Sequence, residues 1–411
     1  MINYILLINL GGANKMISTK MKTLISNNST IRAMFEEGKK LSEIYGEENV
    51  FDYSIGNPNV EPPESIRNII TEIINNESPN LIHGYMNNSG YEDVRDAISD
   101  FLNKKNDLNL TRDNIIMTCG AAGGLNIILK SLLNPEDEVI TFSPYFGEYN
   151  NYVQNFDGKL VIVPTDIETF EPNLEELSKA INPRTKALII NNPNNPTGII
   201  YSEDIIKSLA KLLNEKQREL GTSIYLISDE PYREIVYDNV QVPCLLKYYD
   251  NTFIGYSYSK SLSLPGERIG YVVANTQMDD FEDIVSSLNI ANRILGFVNA
   301  PSLFQRVIAK SLGAEVDVNI YKRNRDLLYN HLISLGFSCV KPQGAFYLFP
   351  KSLIDDDKKF CADAKQFNLL LVPGSSFGCP GHVRLSYCIS YDKIKNSLQA
   401  FDKLAALYNQ N

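Results

Sequence analysis

From residue 114 to residue 274 the chain alternates short β-branched or apolar runs with helical stretches. No other feature restricts the fold as much. The runs cover residues 114–118, 138–142, 159–163, 187–191, 223–228, 252–256 and 268–274. Strands that alternate with helices form largely parallel sheets, because a parallel connection must cross one face of the sheet and a helix makes that crossing. Runs that are mostly apolar throughout suit a sheet covered on both faces. The expectation is therefore an α/β fold whose large domain holds a mostly parallel, seven-stranded sheet. Ligands of such sheets bind beyond the carboxyl ends of the strands, so the loops there are the first place to look for chemistry.

Either side of this region the pattern differs. Helices are expected over 28–46, over 64–76, where Ile66, Ile69, Ile70, Ile73 and Ile74 recur at helical spacing, and over 92–104. Past residue 274 the sheet pattern fades. Residues 291–319 read as helical and mixed, 321–335 as an amphipathic helix, and 392–407 as a closing helix. Short strands are expected at 337–340, 344–349, 369–372 and 382–388, which suggests a smaller α+β domain. At 411 residues two domains are the prior. The division expected is 63–300 for the large domain and 301–411 for the small one. Residues 16–62 form an arm and part of the small domain, and residues 1–15, ahead of a second start at Met16, form an extension.

Composition excludes some classes. A formal charge of -10 argues against a nucleic-acid footprint, which is a basic patch. No run approaches the ~18 apolar residues of a membrane span, and the apolar stretch 4–10 has no basic residues before it. Six scattered cysteines contain no C-x-x-C spacing, so neither a disulfide framework nor a zinc site is expected. The expected location is the cytoplasm.

The chemistry gathers at strand ends. Ser257-Tyr258-Ser259-Lys260-Ser261 follows one strand, and Arg268 comes eight positions after the lysine. A lysine amine forms a Schiff base with an aldehyde if it is unprotonated at working pH. If that aldehyde is pyridoxal 5'-phosphate, Ser257 and Arg268 hold the phosphate while Lys260 reaches the aldehyde. Cys119-Gly120-Ala121-Ala122-Gly123-Gly124 joins a strand to a helix, and a helix N-terminus with free N–H groups suits an anion. A dinucleotide fold is the rival there, but the spacing is not G-x-G-x-x-G. Phe146, in Ser143-Pro144-Tyr145-Phe146-Gly147, is an aromatic available to stack on a ring. Asn191-Asn192-Pro193-Asn194-Asn195-Pro196-Thr197-Gly198 fixes an unusual backbone, and a side chain on it is held rigidly. Asp229, at the end of the strand at 223–228, is a carboxylate that can pair with a ring nitrogen and keep it protonated, and Tyr232 would bond the phenolate oxygen. Glu230 is the alternative carboxylate, expected to point the other way. Arg384 offers a planar fork for a carboxylate.

Together these segments resemble the class I/II aminotransferases, the aspartate aminotransferase family of fold type I pyridoxal-phosphate enzymes, over residues 28 to 407. The resemblance implies that Lys260 is the Schiff-base lysine and that the backbone amides of Gly120, Ala121 and Ala122 hold the phosphate. It implies that Phe146 stacks on the pyridine ring, that Asn195 donates to the phenolate oxygen and that Arg384 anchors the substrate α-carboxylate. The Gly56 backbone, in Gly56-Asn57-Pro58, then lies beside that carboxylate. Tyr85 reaches the phosphate of a neighbouring subunit in a homodimer. Cis peptides are implied before Pro196 and Pro144. The activity implied is ping-pong transfer of an amino group between amino acids and 2-oxo acids. A β-lyase of cysteine S-conjugates and a non-catalytic pyridoxal-phosphate sensor are the other readings.

Overall fold

The computed structural model describes residues 17–26 and 30–408. The stretch 1–15, the extension expected above, lies outside the described residues. A two-residue strand, β1 (Phe51–Asp52), comes first. The central sheet then follows as β2 (Ile115–Thr118), β3 (Glu138–Ser143), β4 (Lys159–Pro164), β5 (Thr185–Asn191), β6 (Tyr225–Asp229), β7 (Thr252–Ser257) and β8 (Gly270–Ala274). Its spatial order is β2-β8-β7-β6-β5-β3-β4. Strand β8 runs antiparallel to both β2 and β7, and every other pairing is parallel. All seven strands lie on runs read from the sequence, within a few residues at each end.

The direction of β8 decides where Arg268 sits. Because this one strand is reversed, its beginning lies at the edge of the sheet where β3, β5, β6 and β7 end. A residue just before β8 therefore joins residues that follow the other strands.

Both faces of the sheet are covered. On one, Leu125, Ile128 and Leu129 of helix Gly120–Leu132 pack with Ile189, Ile227 and Val272. On the other, Leu188 and Leu226 pack with Leu209 and Leu213 of helix Glu203–Leu220. Strand interiors such as Ile227 and Val272 are fully buried, which explains why these runs read as apolar rather than alternating.

The remaining strands are very short: β9 (Tyr347–Leu348), β10 (Leu369–Leu370), β11 (Val372–Pro373) and β12 (Val383–Ser386). Strand β1 pairs in parallel with β10, and β12 pairs antiparallel with both β11 and β9. A separate core joins Tyr53 and Tyr237 to Leu328, Phe346, Phe360 and Phe401.

Several expectations need correction. Residues 337–340 form no strand, and of 344–349 only Tyr347–Leu348 forms a strand, with Gly344 making an isolated antiparallel bridge to Val236. The segment at 291–319 divides into the end of helix Phe281–Ile294, helix Ser302–Ser311 and the start of helix Val318–Ser334. Helix Glu64–Asn76 has the bounds read from its isoleucines, yet Ile74 is exposed while Ile66 and Ile73 are buried. The helix after β2 begins at Gly120, so the small-residue turn expected to lead into it is itself the first helical turn.

Candidate active site

The loops at the carboxyl edge of the sheet enclose a cavity of about 460 Å³. Ala121, Ala122, Phe146, Asn195, Asp229, Tyr232, Ser257, Lys260 and Arg268 line it, together with Gly56 and Arg384 from outside the sheet. Of the residues singled out in the sequence, Gly120, Tyr85 and the alternative carboxylate Glu230 are not in the lining.

Gly120 lies just behind. Its φ of +70° is left-handed backbone, which glycine adopts without strain. A Cβ built there would lie 3.1 Å from Arg268 Nη2, so the guanidinium stands over the start of helix Gly120–Leu132. The first N–H groups of a helix have no partners within it, and a guanidinium beside them completes an anion site. Tyr85 is 94% exposed and stands apart from this chain's own cavity.

Lys260 follows β7 in the single-turn helix Tyr258–Ser261, whose N-cap is Ser257. Ser257 Oγ accepts from Ser259 N and pairs with Ser259 Oγ at 2.7 Å. The amine donates to the Gly56 carbonyl at 2.7 Å. Burial lowers its pKa to about 8, and Arg268 and Arg384 push the same way. An amine so placed is partly neutral near neutral pH.

Asp229 ends β6 and is buried. Burial raises its pKa to about 7, against the hydrogen bond from Tyr149. Tyr149 Oη donates to Asp229 Oδ2 at 2.6 Å, while Oδ1 has no hydrogen-bond partner among the described residues. Glu230 does point away: it accepts from Ser228 Oγ and pairs with Arg233, each at 2.7 Å. Adjacent residues of a strand face opposite sides, which separates the two carboxylates.

The asparagine loop is braced from within. Asn191 Oδ1 accepts from Asn195 N at 2.6 Å, and Asn194 Oδ1 accepts from Thr197 N and Thr197 Oγ1. The peptides before Pro196 and Pro144 are cis as implied, and so is the one before Pro193, for which no expectation was held.

Arg384 is buried on β12. Its Nη1 donates to Asn195 Oδ1 at 3.1 Å, its Nη2 donates to the Ser54 carbonyl, and its Nε is without a partner among the described residues. The guanidinium lies between two rings, 4.6 Å from Tyr347 and 4.8 Å from Phe377.

Sequence reasoning passed over two tyrosines. Tyr149 holds Asp229 and meets the Phe146 ring edge-on at 5.6 Å. Its spacing of three from Phe146, across the start of helix Glu148–Asn155, was the available signal. Tyr347 lines the cavity and shares a hydrogen bond of 2.8 Å with Tyr232, and no local pattern announces it.

Comparison with known proteins agrees with this geometry. The family model for aminotransferase class I and II matches residues 48–401. The chain is 31% identical to a probable aspartate/prephenate aminotransferase of Aquifex aeolicus, over 86% of this chain and 91% of the relative. It is 30% identical to a probable N-acetyl-LL-diaminopimelate aminotransferase of Bacillus subtilis, over 89% of this chain and 91% of the relative. Among solved structures, an amino transferase from Eubacterium rectale superimposes with a TM-score of 0.94 at 47% identity, covering 96% of this chain and 100% of the other.

Proposed function

This chain belongs to the class I and II aminotransferases, and from that premise we propose that it moves an amino group from an L-amino acid to a 2-oxo acid in ping-pong fashion, with pyridoxal 5'-phosphate as cofactor. One observation carries the reading: Lys260, Asp229, Asn195, Arg268 and Arg384 converge on a single cavity. The cavity suits this cofactor. Asp229 Oδ1 is buried with no hydrogen-bond partner among the described residues and would accept from a protonated ring nitrogen. The start of helix Gly120–Leu132 with Arg268 and Ser257 suits a phosphate.

When bound, the cofactor supplies an aldehyde for covalent capture and a protonated ring that draws electrons from the substrate's Cα. The chain's residues do the rest. Lys260 Nζ would hold the aldehyde, and as a neutral amine it would take the substrate's Cα proton. The Asp229 carboxylate would hold a proton on the ring nitrogen, and Tyr149 holds that carboxylate in place. Phe146 would cover one ring face, while Asn195 and Tyr232 would donate to the ring oxygen. Arg384 anchors the substrate carboxylate beside the Gly56 backbone. Residues 16–62 with 301–411 form the smaller domain of the proposal, and residues 63–300 form the larger.

The active form is proposed to be a homodimer in which Tyr85 serves the neighbouring site. Its loop is tied to helix Phe281–Ile294 through Ser89 Oγ to Asn289 Oδ1 at 2.6 Å and Asn292 Nδ2 to the Asn88 carbonyl at 2.9 Å. That helix leaves Ile290 and Ile294 exposed, an apolar face for a second copy to cover.

The test is a half-reaction. Purified protein with bound cofactor is mixed with single amino acids, without a 2-oxo acid. Bleaching of the visible band with one 2-oxo acid released per site is the expected result, and the fastest donor names the substrate. A band that persists while ammonia and pyruvate accumulate from a cysteine conjugate would replace transfer by β-elimination.

The Gly56 site gives a second prediction. A Cβ on Gly56 would lie 2.0 Å from the Tyr347 hydroxyl oxygen. Gly56→Ala must shift either Tyr347 or the carbonyl that receives Lys260. We expect kcat/KM to fall on the order of a hundredfold, the cost of a displacement near 1 Å in a reacting geometry. Gly266→Ala is the control, since a Cβ there meets nothing within 4 Å. Steady-state kinetics of the two variants decide the matter, and equal activity would remove the Gly56 argument.

A further inference from the structure

We propose that Tyr347 is a positioning residue that ties the Arg384 carboxylate anchor to the hydroxyl of Tyr232. The inference rests on the function proposed above and adds a coupling between its two halves, the substrate anchor and the donor to the cofactor's ring oxygen.

Three contacts meet in this one side chain. Its ring lies 4.6 Å from the Arg384 guanidinium, whose other side faces Phe377. A cation over an aromatic face is attracted by the ring quadrupole, more so when both are out of water. Its hydroxyl is 2.8 Å from the Tyr232 hydroxyl, and both residues are buried. The same hydroxyl rests against Gly56, whose carbonyl accepts from Lys260. The backbone adds to this. Ser386 on β12 is the register partner of Tyr347 on β9, so Tyr347 and Arg384 ride on one pair of strands. Tyr232 comes from the loop after β6, 115 residues earlier.

The shared hydrogen bond has a direction to choose. Each hydroxyl carries one proton and accepts through its oxygen. Burial raises the pKa of both, Tyr347 to about 12 and Tyr232 well above the usual tyrosine value, so both stay protonated at neutral pH. Once the Tyr232 hydroxyl donates its hydrogen bond to an acceptor in the cavity, Tyr347 donates to the Tyr232 oxygen. A donor that itself receives a hydrogen bond donates more strongly. Arg384, held against the Tyr347 ring, therefore helps fix the orientation of the hydroxyl that Tyr232 depends on.

The two functions separate by substitution. Tyr347→Phe keeps the ring against the guanidinium and removes the hydroxyl. Tyr347→Leu removes both. The measurements use the holoenzyme: the pH midpoint of its visible absorbance, and the dissociation constant of the tighter-binding of maleate and 3-phenylpropionate. A donor aimed at the cofactor's ring oxygen makes the attached Lys260 nitrogen less basic, so weakening that donor raises the midpoint. Tyr347→Phe is expected to raise it by about half a pH unit and to leave the inhibitor constant within about twofold. Tyr347→Leu is expected to raise the midpoint alike and to weaken inhibitor binding on the order of three- to thirtyfold. In a Tyr232→Phe background, Tyr347→Phe should move the midpoint no further, since coupled residues are not additive.

An unmoved midpoint in Tyr347→Phe overturns the inference. So does a further shift in the Tyr232→Phe background, or a Tyr347→Leu variant that binds the inhibitor as tightly as Tyr347→Phe. A parent protein with no visible band when supplied with cofactor overturns the proposed function itself, which keeps the two failures apart.

Discussion

Lys260→Ala is expected to lower single-turnover transamination by at least about 10⁴-fold, because the general-base contribution and covalent capture are lost together. Lys260→Arg should do no better, since a guanidinium keeps its proton and offers no nucleophile. Both variants should still take up cofactor, because the phosphate and ring-nitrogen partners remain. Reduction with borohydride should then fix the cofactor to the parent protein and to neither variant. The amine's ionisation adds a pH signature. Its pKa is lowered to about 8, chiefly by burial. The neutral fraction is about a tenth at pH 7 and a half at pH 8. Capture of added cofactor by the cofactor-free protein should accelerate as pH rises and level off above about 8. A Lys260→Ala variant that turns over like the parent, or is fixed by borohydride, would show that another amine does this work.

Asp229→Asn is expected to lower turnover by about 10³-fold while stabilising the cofactor-free protein at alkaline pH. The two effects have one cause. Burial raises the carboxyl pKa from 3.8 to about 7 in the folded chain, with a smaller push from Glu230. Between those values the folded chain binds a proton that the unfolded chain has lost. Stability therefore falls as pH rises through the window, and the full penalty persists above about 7. It amounts to about 4 kcal/mol, as an upper figure. Asparagine does not titrate, so the variant should melt higher than the parent at pH 8, and the gap should close as pH falls towards 4. The same substitution removes the charge that holds a proton on the ring nitrogen, which is where turnover is lost. Melting curves of both cofactor-free proteins across this range check the first half. A gap independent of pH would mean that Asp229 is ionised in the folded chain as it is in the unfolded one across this range.

Much of this site could be read before any coordinates. Lys260, Asp229, Asn195, Phe146 and Arg268 flank strands whose apolar runs are continuous, and a residue next to such a strand lies at a known edge of the sheet. The opposed directions of Asp229 and Glu230 follow from the two-residue period of a strand. Helix Glu64–Asn76 was legible because five isoleucines mark one side of it, although exposed Ile74 shows that an apolar residue at the right spacing need not be covered by its own chain.

Other features were decided only in three dimensions. Strand β1 is two residues long, too short for alternation to register, and exists because β10 pairs with it, while β9, β10 and β11 lie on runs expected as longer strands and are cut to two residues each by the pairing available to them. Residues 337–340 have strand-like composition but no pairing partner. Tyr149 and Tyr347 act through hydroxyls that meet Asp229 and Tyr232 across 80 and 115 residues. The sequence by itself determined the sheet, its order along the chain and the groups along its carboxyl edge, because strand and helix periods are local properties. Which hydroxyl meets which carboxylate, and which oxygen of Asp229 is left open to the cavity, only the tertiary structure decided. A hydrogen bond depends on the separation of two atoms in space, and nothing local in the chain encodes that separation.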